Sequence, residues 1–224
     1  MKRILIFVVF FLIGLAVALS FTYFPYTKLP IAAPLHITTQ FSLAKAPSES
    51  LQGKIATMSG AISWLSRVAV HPVQISSPRQ VQQGEALYTG KNSDAGIAIQ
   101  NNAYFYLFSQ TQLSLIQLLP VNVVLQQNKG TVMYSGSGKY AISVVSLHLV
   151  TIIGKGEMTI AVNNSKNTVT VTVTKGSAQE GYDDLQNISH MVTVDAGQTF
   201  SYDDITRTGT VTGKAIFLPS FFAH

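Results

Sequence analysis

The chain has 224 residues, of which 47% are hydrophobic and only 11% are charged, with a formal net charge of +5 and no cysteine. The lack of cysteine excludes disulfide scaffolds, thiolate zinc sites and cysteine nucleophiles. Apart from Lys2 and Arg3, 13 basic residues stand against 10 acidic ones and are spread singly, so we expect no nucleic-acid binding.

Residues 4–24 form an apolar stretch that follows Lys2 and Arg3. About 20 apolar residues in a helix span a membrane, so residues 1–24 are predicted to be a transmembrane anchor. A cleaved signal peptide is the alternative, because residues 16–18, Ala-Val-Ala, resemble a cleavage site. The length of the stretch favours a retained anchor, and its basic start places the N-terminus in the cytoplasm. We therefore expect a single-pass cell-membrane protein whose domain is extracytoplasmic, either periplasmic or at the cell surface.

Residues 25–50 contain four prolines and a polar Ser-Glu-Ser break, which is typical of an extended stalk. The alternative is an irregular first strand that packs on the following domain. At the other end, residues 211–224 form a largely apolar tail that is too short to span a membrane. This tail either closes an edge of the core, contacts the membrane or a partner, or is disordered.

Between them, residues 51–210 are predicted to form one β domain. The clearest strand is residues 168–174, where Val and Thr alternate with a strict period of two, so that Val faces one way and Thr the other. Residues 113–119 fit either a helical turn or a strand. Short runs separated by turn residues indicate an all-β fold, either an antiparallel β-sandwich or a short β-solenoid. The predicted turns include residues 84–85, 89–90, 101–102, 128–130, 136–138, 175–176 and 196–197.

No residue pattern assigns a catalytic, cofactor or metal site. The histidines, His36, His71, His148, His190 and His224, have no metal-ligand spacing, and His148 is expected on a strand. Two acidic pairs, Asp183-Asp184 and Asp203-Asp204, lie near Glu180 and Asp195 in the sequence. They fit either solvated turns or a calcium loop, and on a strand adjacent carboxylates would face opposite ways.

Aromatic side chains are the other functional lead in a chain with so little charge. Tyr and Trp supply rigid contact area at interfaces and on glycan-binding faces. Packing in the core and between strands is the alternative interpretation. The side chains concerned are Trp64, Tyr88, Tyr104, Tyr106, Tyr134, Tyr140, Tyr182 and Tyr202.

Residues 84–95 follow the pattern G-[DE]-x-[LI]-x-T-G-x-x-S-x-A, and four further stretches contain glycine next to predicted strands. In their order along the chain, the five stretches resemble the FecR domain, the extracytoplasmic module of bacterial iron-responsive transmembrane regulators, and residues 84–95 are the most specific match. Residues 154–162 depart from the G-T-x-F-x-V strand that the family usually shows. The other four stretches are residues 52–64, with a central Gly60, and residues 130–132, 171–178 and 194–198.

The resemblance implies an extracytoplasmic β domain. Family regulators also carry a cytoplasmic segment that engages a sigma factor, whereas only three residues precede the predicted anchor here. We therefore expect a non-catalytic binding or assembly module of a bacterial cell envelope, held in the membrane by residues 4–24. Its expected partner is a protein or a cell-wall glycan, and homo-oligomers are left open. The alternatives are a sensor that signals through a separate membrane partner, or an envelope carbohydrate-active enzyme with converging carboxylates.

Overall fold

The structure, a computed structural model, describes residues 49–100 and 103–213. These residues fold entirely as β-strands and their connections, and every strand pair is antiparallel. The fourteen strands are β1 (Gly53–Ser59), β2 (Ile62–Leu65), β3 (Val73–Ile75), β4 (Gln80–Val81), β5 (Ala86–Thr89), β6 (Asp94–Ile99), β7 (Ala103–Leu107), β8 (Gln112–Leu119), β9 (Asn122–Ser146), β10 (Leu149–Asn163), β11 (Thr168–Asp183), β12 (Ser189–Asp195), β13 (Gln198–Asp203) and β14 (Thr208–Gly213).

The predicted all-β, antiparallel fold is therefore confirmed. Stacked coils of a parallel β-helix are not present among the described strands, because parallel pairs are absent there. Residues 113–119 lie in strand β8 rather than in a helical turn. Within the described ranges no helix is long and apolar enough to cross a membrane. The predicted anchor, most of the predicted stalk and the apolar end of the tail lie outside the described residues.

The alternation of Val and Thr in residues 168–174 correctly predicts which side chains lie on each face of the strand. Val169, Val171 and Val173 of β11 are at most 1% exposed, whereas the intervening threonines face outward. Because successive side chains of a strand point to opposite faces, this half of β11 presents one face to the core and the other to solvent. Similar alternation is seen in β7, where Phe105 and Leu107 are fully buried.

One hydrogen-bonded sheet contains all fourteen strands and divides at β9. Its main path runs β14-β13-β11-β10-β9-β7-β6-β1-β4, and a branch runs from β9 through β8, β5 and β2 to β3. The division arises because β8 pairs with residues 122–129 of β9, whereas β7 pairs with residues 132–136. Side chains of both branches, such as Leu87 and Ile97, join a single hydrophobic core. This arrangement supports the sandwich interpretation of the fold.

Three predicted turns are not turns. Residues 128–130 and 136–138 lie inside β9, and residues 175–176 lie inside β11, so these strands continue through them. Glycine within a strand commonly marks a bulge or a bend, and that is its role here. Residues 84–85 and 196–197 do lie at turns, whereas residues 101–102 are outside the described ranges.

A row of glycines bends the three longest strands at the same level. Gly156 of β10 is opposite Gly136 of β9 on one side and opposite Gly176 of β11 on the other. The register of β10 shifts next to this glycine row on both sides. A Cβ atom on Gly156 would collide with the carbonyl oxygen of Lys175, and Gly176 has a φ of +75°, which favours glycine.

The bend brings the two ends of β10 together. A straight strand of 15 residues would separate its ends by about 50 Å. Instead, Asp204 bonds to the turns at both ends of β10. Its carboxylate accepts from the backbone amide of His148, just before β10, and its own amide donates to the carbonyl of Asn167, the last residue of the β10–β11 turn. The sheet therefore folds over along the glycine row and is closed at its open edge by Asp204.

Candidate binding cleft

A cleft of about 440 Å³ opens where β2 and the loop after it face the segment that joins β4 to β5. It is lined by residues from 64–68 and from 79–85. Val68 and Val70 of the loop after β2 are 64% and 84% exposed, so apolar surface lies beside the polar cleft. The volume falls in the range of small-molecule sites, about 300–1,000 Å³.

Glu85 organises one wall of the cleft. Its side chain is buried, and its Oε2 atom accepts hydrogen bonds from the Trp64 indole Nε1–H at 3.0 Å and from the backbone amide of Gln82 at 2.9 Å. The indole is thereby fixed in orientation while it packs against the core. The Arg79 guanidinium lies over this indole, 3.5 Å from the ring centroid, in a cation–π contact.

Arg67 also lines the cleft. Its side chain runs beside Gly84, where a Cβ atom would lie 3.1 Å from Arg67 Cγ and Nε. Gly84 also has a φ of +84°, so both space and backbone conformation favour glycine. The Nη1 atom of Arg67 is buried and has no hydrogen-bond acceptor among the described residues. One donor of a permanently charged group beside the cleft is therefore buried without an acceptor among the described residues.

A second concavity, of about 330 Å³, follows the glycine row. Lys175 and Glu157 line it and form an ion pair with 2.7 Å between Nζ and Oε2. Lys155 lines it as well. Because Lys175 and Glu157 pair with each other and the concavity follows the glycine row, the bend in the sheet explains this surface.

Both acidic pairs stabilise turns. In the first, Asp183 Oδ1 accepts from the Ser189 hydroxyl at 2.7 Å. Asp184 Oδ1 accepts from the amides of Gln186 and Ile188, each at 2.9 Å. Its Oδ2 atom lies 2.8 Å from the His190 ring. These hydrogen bonds, that of His190 foremost, lower the pKa of Asp184.

In the second pair, Asp203 Oδ1 accepts from the amides of Ile205 and Thr206, which lower the pKa of Asp203. Asp204 Oδ1 lies 2.8 Å from His148 Nδ1. The two pairs therefore begin the β11–β12 and β13–β14 turns, where hydrogen bonds within the domain engage each of the four aspartates. In the part of the chain that the structure describes, no three His, Asp or Glu side chains cluster in a way that could hold a metal ion.

The expectation that His148 lies on a strand is wrong, since it occupies the two-residue turn between β9 and β10. This position lets both its amide and its ring reach Asp204. His190 lies in β12, where its ring stacks on Tyr182 with 5.1 Å between centroids. His71 is in the loop after β2 and is exposed, whereas His36 and His224 are outside the described residues.

Glu180 is a buried carboxylate that the sequence pattern does not single out. Its side chain is 0% exposed, and its Oε2 atom accepts from the Thr151 hydroxyl at 2.7 Å. The other oxygen, Oε1, has no partner among the described residues. Burial raises the pKa of Glu180 to about 7, although the Thr151 hydrogen bond opposes the rise.

The aromatic residues follow the packing interpretation. None of the eight is fully exposed: Tyr134 and Tyr202 are buried and the others are half-buried. Burial, and after it the Asp204 carboxylate, raises the pKa of Tyr202 to about 12. Tyr182 contacts both Tyr202 and Phe200, with centroids 5.2 and 6.1 Å apart. Trp64 lines the cleft described above.

The segment with the most specific FecR resemblance, residues 84–95, has a structural role. The Thr89 hydroxyl bonds to the Phe108 carbonyl and accepts from the Thr111 amide. The Ser93 hydroxyl accepts from the Ala61 amide, and the Gly90 amide donates to the Ala61 carbonyl. The Thr89 bonds join the end of β5 to the β7–β8 turn, and the bonds to Ala61 join the β5–β6 turn to the β1–β2 turn. The segment therefore specifies how neighbouring turns pack, and its Glu85 also builds the cleft.

Comparison with known proteins supports the fold. A scan against protein-family models found no match, and a search of curated proteins found none either, so the FecR resemblance stays a prediction. The structure is similar to two crystal structures, at 1.65 and 2.50 Å resolution, of a candidate anti-sigma factor from Parabacteroides distasonis ATCC 8503. Both have a TM-score of 0.50, with 5% and 6% sequence identity. Each match covers 58% of this chain and 60% of the other, and at such identity it shows a shared fold alone.

Proposed function

We propose that the chain is a membrane-anchored, extracytoplasmic module of a bacterial cell envelope that binds a ligand or partner and has no catalytic activity. The apolar residues 4–24 and the basic residues before them support the location. The cleft at Trp64 carries the binding part of the proposal, because it presents two guanidinium groups with no carboxylate partner among the described residues.

The arrangement of the carboxylates supports a non-catalytic role. An envelope glycosidase needs two carboxyl groups on either side of a substrate, about 5–9.5 Å apart. The aspartates that the sequence offers for that role are engaged in turns, and the Oε2 atom of Glu85 accepts two hydrogen bonds within the domain.

A sensor that signals through a separate membrane partner is the second candidate. It is favoured by the fold likeness to a candidate anti-sigma factor. Transcript profiles of host cells with and without the chain would test it. A change confined to genes read by one sigma factor supports the sensor, and unchanged profiles count against it.

Location is tested with the full chain carrying a C-terminal epitope in bacterial cells. We expect the epitope in the membrane fraction. In intact spheroplasts, added protease should digest the epitope without prior lysis of the cells. A matched variant that lacks residues 4–24 is expected to stay soluble and protected. Protection of the full-length chain would overturn the location, and an intact mass that begins near residue 19 would overturn the anchor.

A further inference from the structure

We infer that the Trp64 cleft binds an oxyanion, a carboxylate or phosphate group of an envelope ligand, through the guanidinium groups of Arg67 and Arg79. The inference rests on the proposed function as a binding module and names the chemistry of its ligand. Three features of the cleft support it: a buried donor without an acceptor, a second guanidinium held in place by an aromatic ring, and a carboxylate already engaged elsewhere.

The buried donor is Nη1 of Arg67. A guanidinium stays protonated at any physiological pH, so this N–H is always a charged donor. Leaving such a donor buried without an acceptor is costly, and buried polar groups nearly always have partners. Here the described residues provide none. Arg67 lines the cleft, so a ligand oxygen that draws its guanidinium toward the cleft would supply the missing acceptor.

The second guanidinium is that of Arg79. The indole of Trp64 holds its plane in place from one side. Its closest backbone acceptor, the Gln80 carbonyl, is 3.5 Å from Nε, which is too long for a strong hydrogen bond. The N–H groups at the edge of the guanidinium therefore remain for a ligand, and their fork matches the two oxygens of a carboxylate or phosphate.

The carboxylate of the cleft does not neutralise these charges. Glu85 Oε2 already accepts from the Trp64 indole and the Gln82 amide. Among the ion pairs of residues 49–100 and 103–213, none joins Glu85 to Arg67 or Arg79 within 4.0 Å. The cleft thus holds two positive groups against one negative group, and its charge attracts anions.

The surroundings narrow the ligand further. A cleft of about 440 Å³ exceeds the size of an isolated phosphate and can take a larger group that bears the anion. Stacking of a sugar on the indole is hindered, because Arg79 covers one face of Trp64 and the ring also packs on the core. Exposed Val68 at the rim offers apolar contact to the rest of the ligand.

Trp64 is the only tryptophan of the chain, so its fluorescence reports directly on the cleft. The full chain in a non-ionic detergent is titrated with sodium phosphate and, separately, with sodium citrate, at ionic strength held constant with sodium chloride. We expect a saturable fluorescence change with at least one of the two anions. Tighter binding of phosphate than of citrate would indicate a ligand with a phosphate group, and the reverse would indicate a ligand with a carboxylate group.

The decisive variant is Arg67→Gln, which should weaken anion binding by about tenfold or more, the loss of one charge-assisted hydrogen bond. Lys91→Gln is the matched control, because it removes an exposed positive charge outside the cleft and should bind like the unmodified chain. Arg67→Lys keeps the charge but loses the fork, and an intermediate affinity is expected. Thermal unfolding of each variant shows whether it is folded.

Two results overturn the inference. One is a fluorescence response to both anions that equals that of sodium chloride. The other is equal anion binding by folded Arg67→Gln or Arg67→Lys and by the unmodified chain. Either result leaves the protease-accessibility outcome untouched, so the oxyanion site and the proposed envelope location can fail separately.

Discussion

The backbone amide and the Nδ1 atom of His148 both lie within hydrogen-bond distance of a single oxygen of Asp204, at 3.2 and 2.8 Å. The two residues are 56 positions apart in the sequence. Asp204 is also bonded through its amide to Asn167, so it joins three turns. Because the glycine row bends the sheet on the opposite side, this contact closes the fold where the strands would otherwise separate.

Replacement of Asp204 by Ala should therefore open this edge. We expect a loss of about 1–2 kcal/mol in the free energy of unfolding, because two hydrogen bonds to a mostly shielded carboxylate are removed. Urea unfolding followed by Trp64 fluorescence measures it. Asp195→Ala removes an exposed carboxylate outside this contact and should change stability by less than about 0.5 kcal/mol. Equal stability of the two variants would show that the closure contributes nothing.

Glu180 should make stability depend on pH near neutrality. Burial raises its pKa from 4.5 to about 7, so the folded chain keeps this proton at pH values where the unfolded chain has lost it. The stabilising contribution is complete below about pH 4.5 and is lost as the pH rises through about 7. The full loss amounts to about 3 kcal/mol.

Glu180→Gln removes the ionisation and keeps the shape. Between pH 5 and pH 8, the unmodified chain should lose about 3 kcal/mol of unfolding free energy relative to the variant. Taking this difference cancels the histidines, which titrate in both proteins. Parallel stability curves would mean that Glu180 does not titrate in this range.

The glycine row offers a comparison between neighbours. Gly156→Ala places a Cβ against the Lys175 carbonyl, so we expect a loss of about 3 kcal/mol from overlap and a forced backbone shift. Gly154→Ala is the matched control, because nothing lies within 4 Å of its Cβ position and its φ is not positive. Urea midpoints of the two variants provide the test. If Gly156→Ala were as stable as Gly154→Ala, the bend would not require glycine.

Gln127 of β9 is the centre of a buried polar network. Its Nε2 donates to the carbonyls of Gly130 and Ile160, and its Oε1 accepts from the Tyr134 hydroxyl. Gln127→Leu removes these three hydrogen bonds and takes the buried Tyr134 hydroxyl's acceptor away, so we expect a loss of about 3 kcal/mol. Gln126→Leu changes the neighbouring exposed side chain and should be nearly neutral. Similar unfolding free energies for both variants would contradict the network's role.

Alternation was sufficient to predict the strands and the fold class. The valines of residues 168–174 face the core as expected, because a period of two is a property of the local backbone. The glycine stretches were misread because a glycine between apolar runs is equally compatible with a turn and with a bend in a continuous strand. The distinction depends on which residues lie opposite on the neighbouring strand, and sequence spacing does not contain that information.

The burial of Glu180 illustrates the same limit. Val169, Val171 and Val173 face inward, and continuing this period would turn Glu180 outward. The register of β11 against β10 shifts between Val173 and Lys175, and beyond the bend Ala178 and Glu180 are the buried positions. One additional residue in a strand reverses the face of every side chain after it. The cleft escaped prediction for a related reason. Trp64 and Glu85 are brought together by the pairing of β2 with β5, and Arg79 is positioned next to β4, which pairs with β1.

Strand β10 has hydrogen-bonded neighbours along both of its sides, β9 on one and β11 on the other, whereas β3, β4, β12 and β14 each have one neighbour. Each paired amide of β10 donates to one of these two neighbours and exchanges with deuterated water only after that neighbour has moved away, whereas an edge strand has amides on one side that no strand covers. Amides of β10 should therefore be among the last to take up deuterium. Local opening of the edge strands would leave β9, β10 and β11 paired, so we expect the edge strands to unfold before the centre of the sheet does.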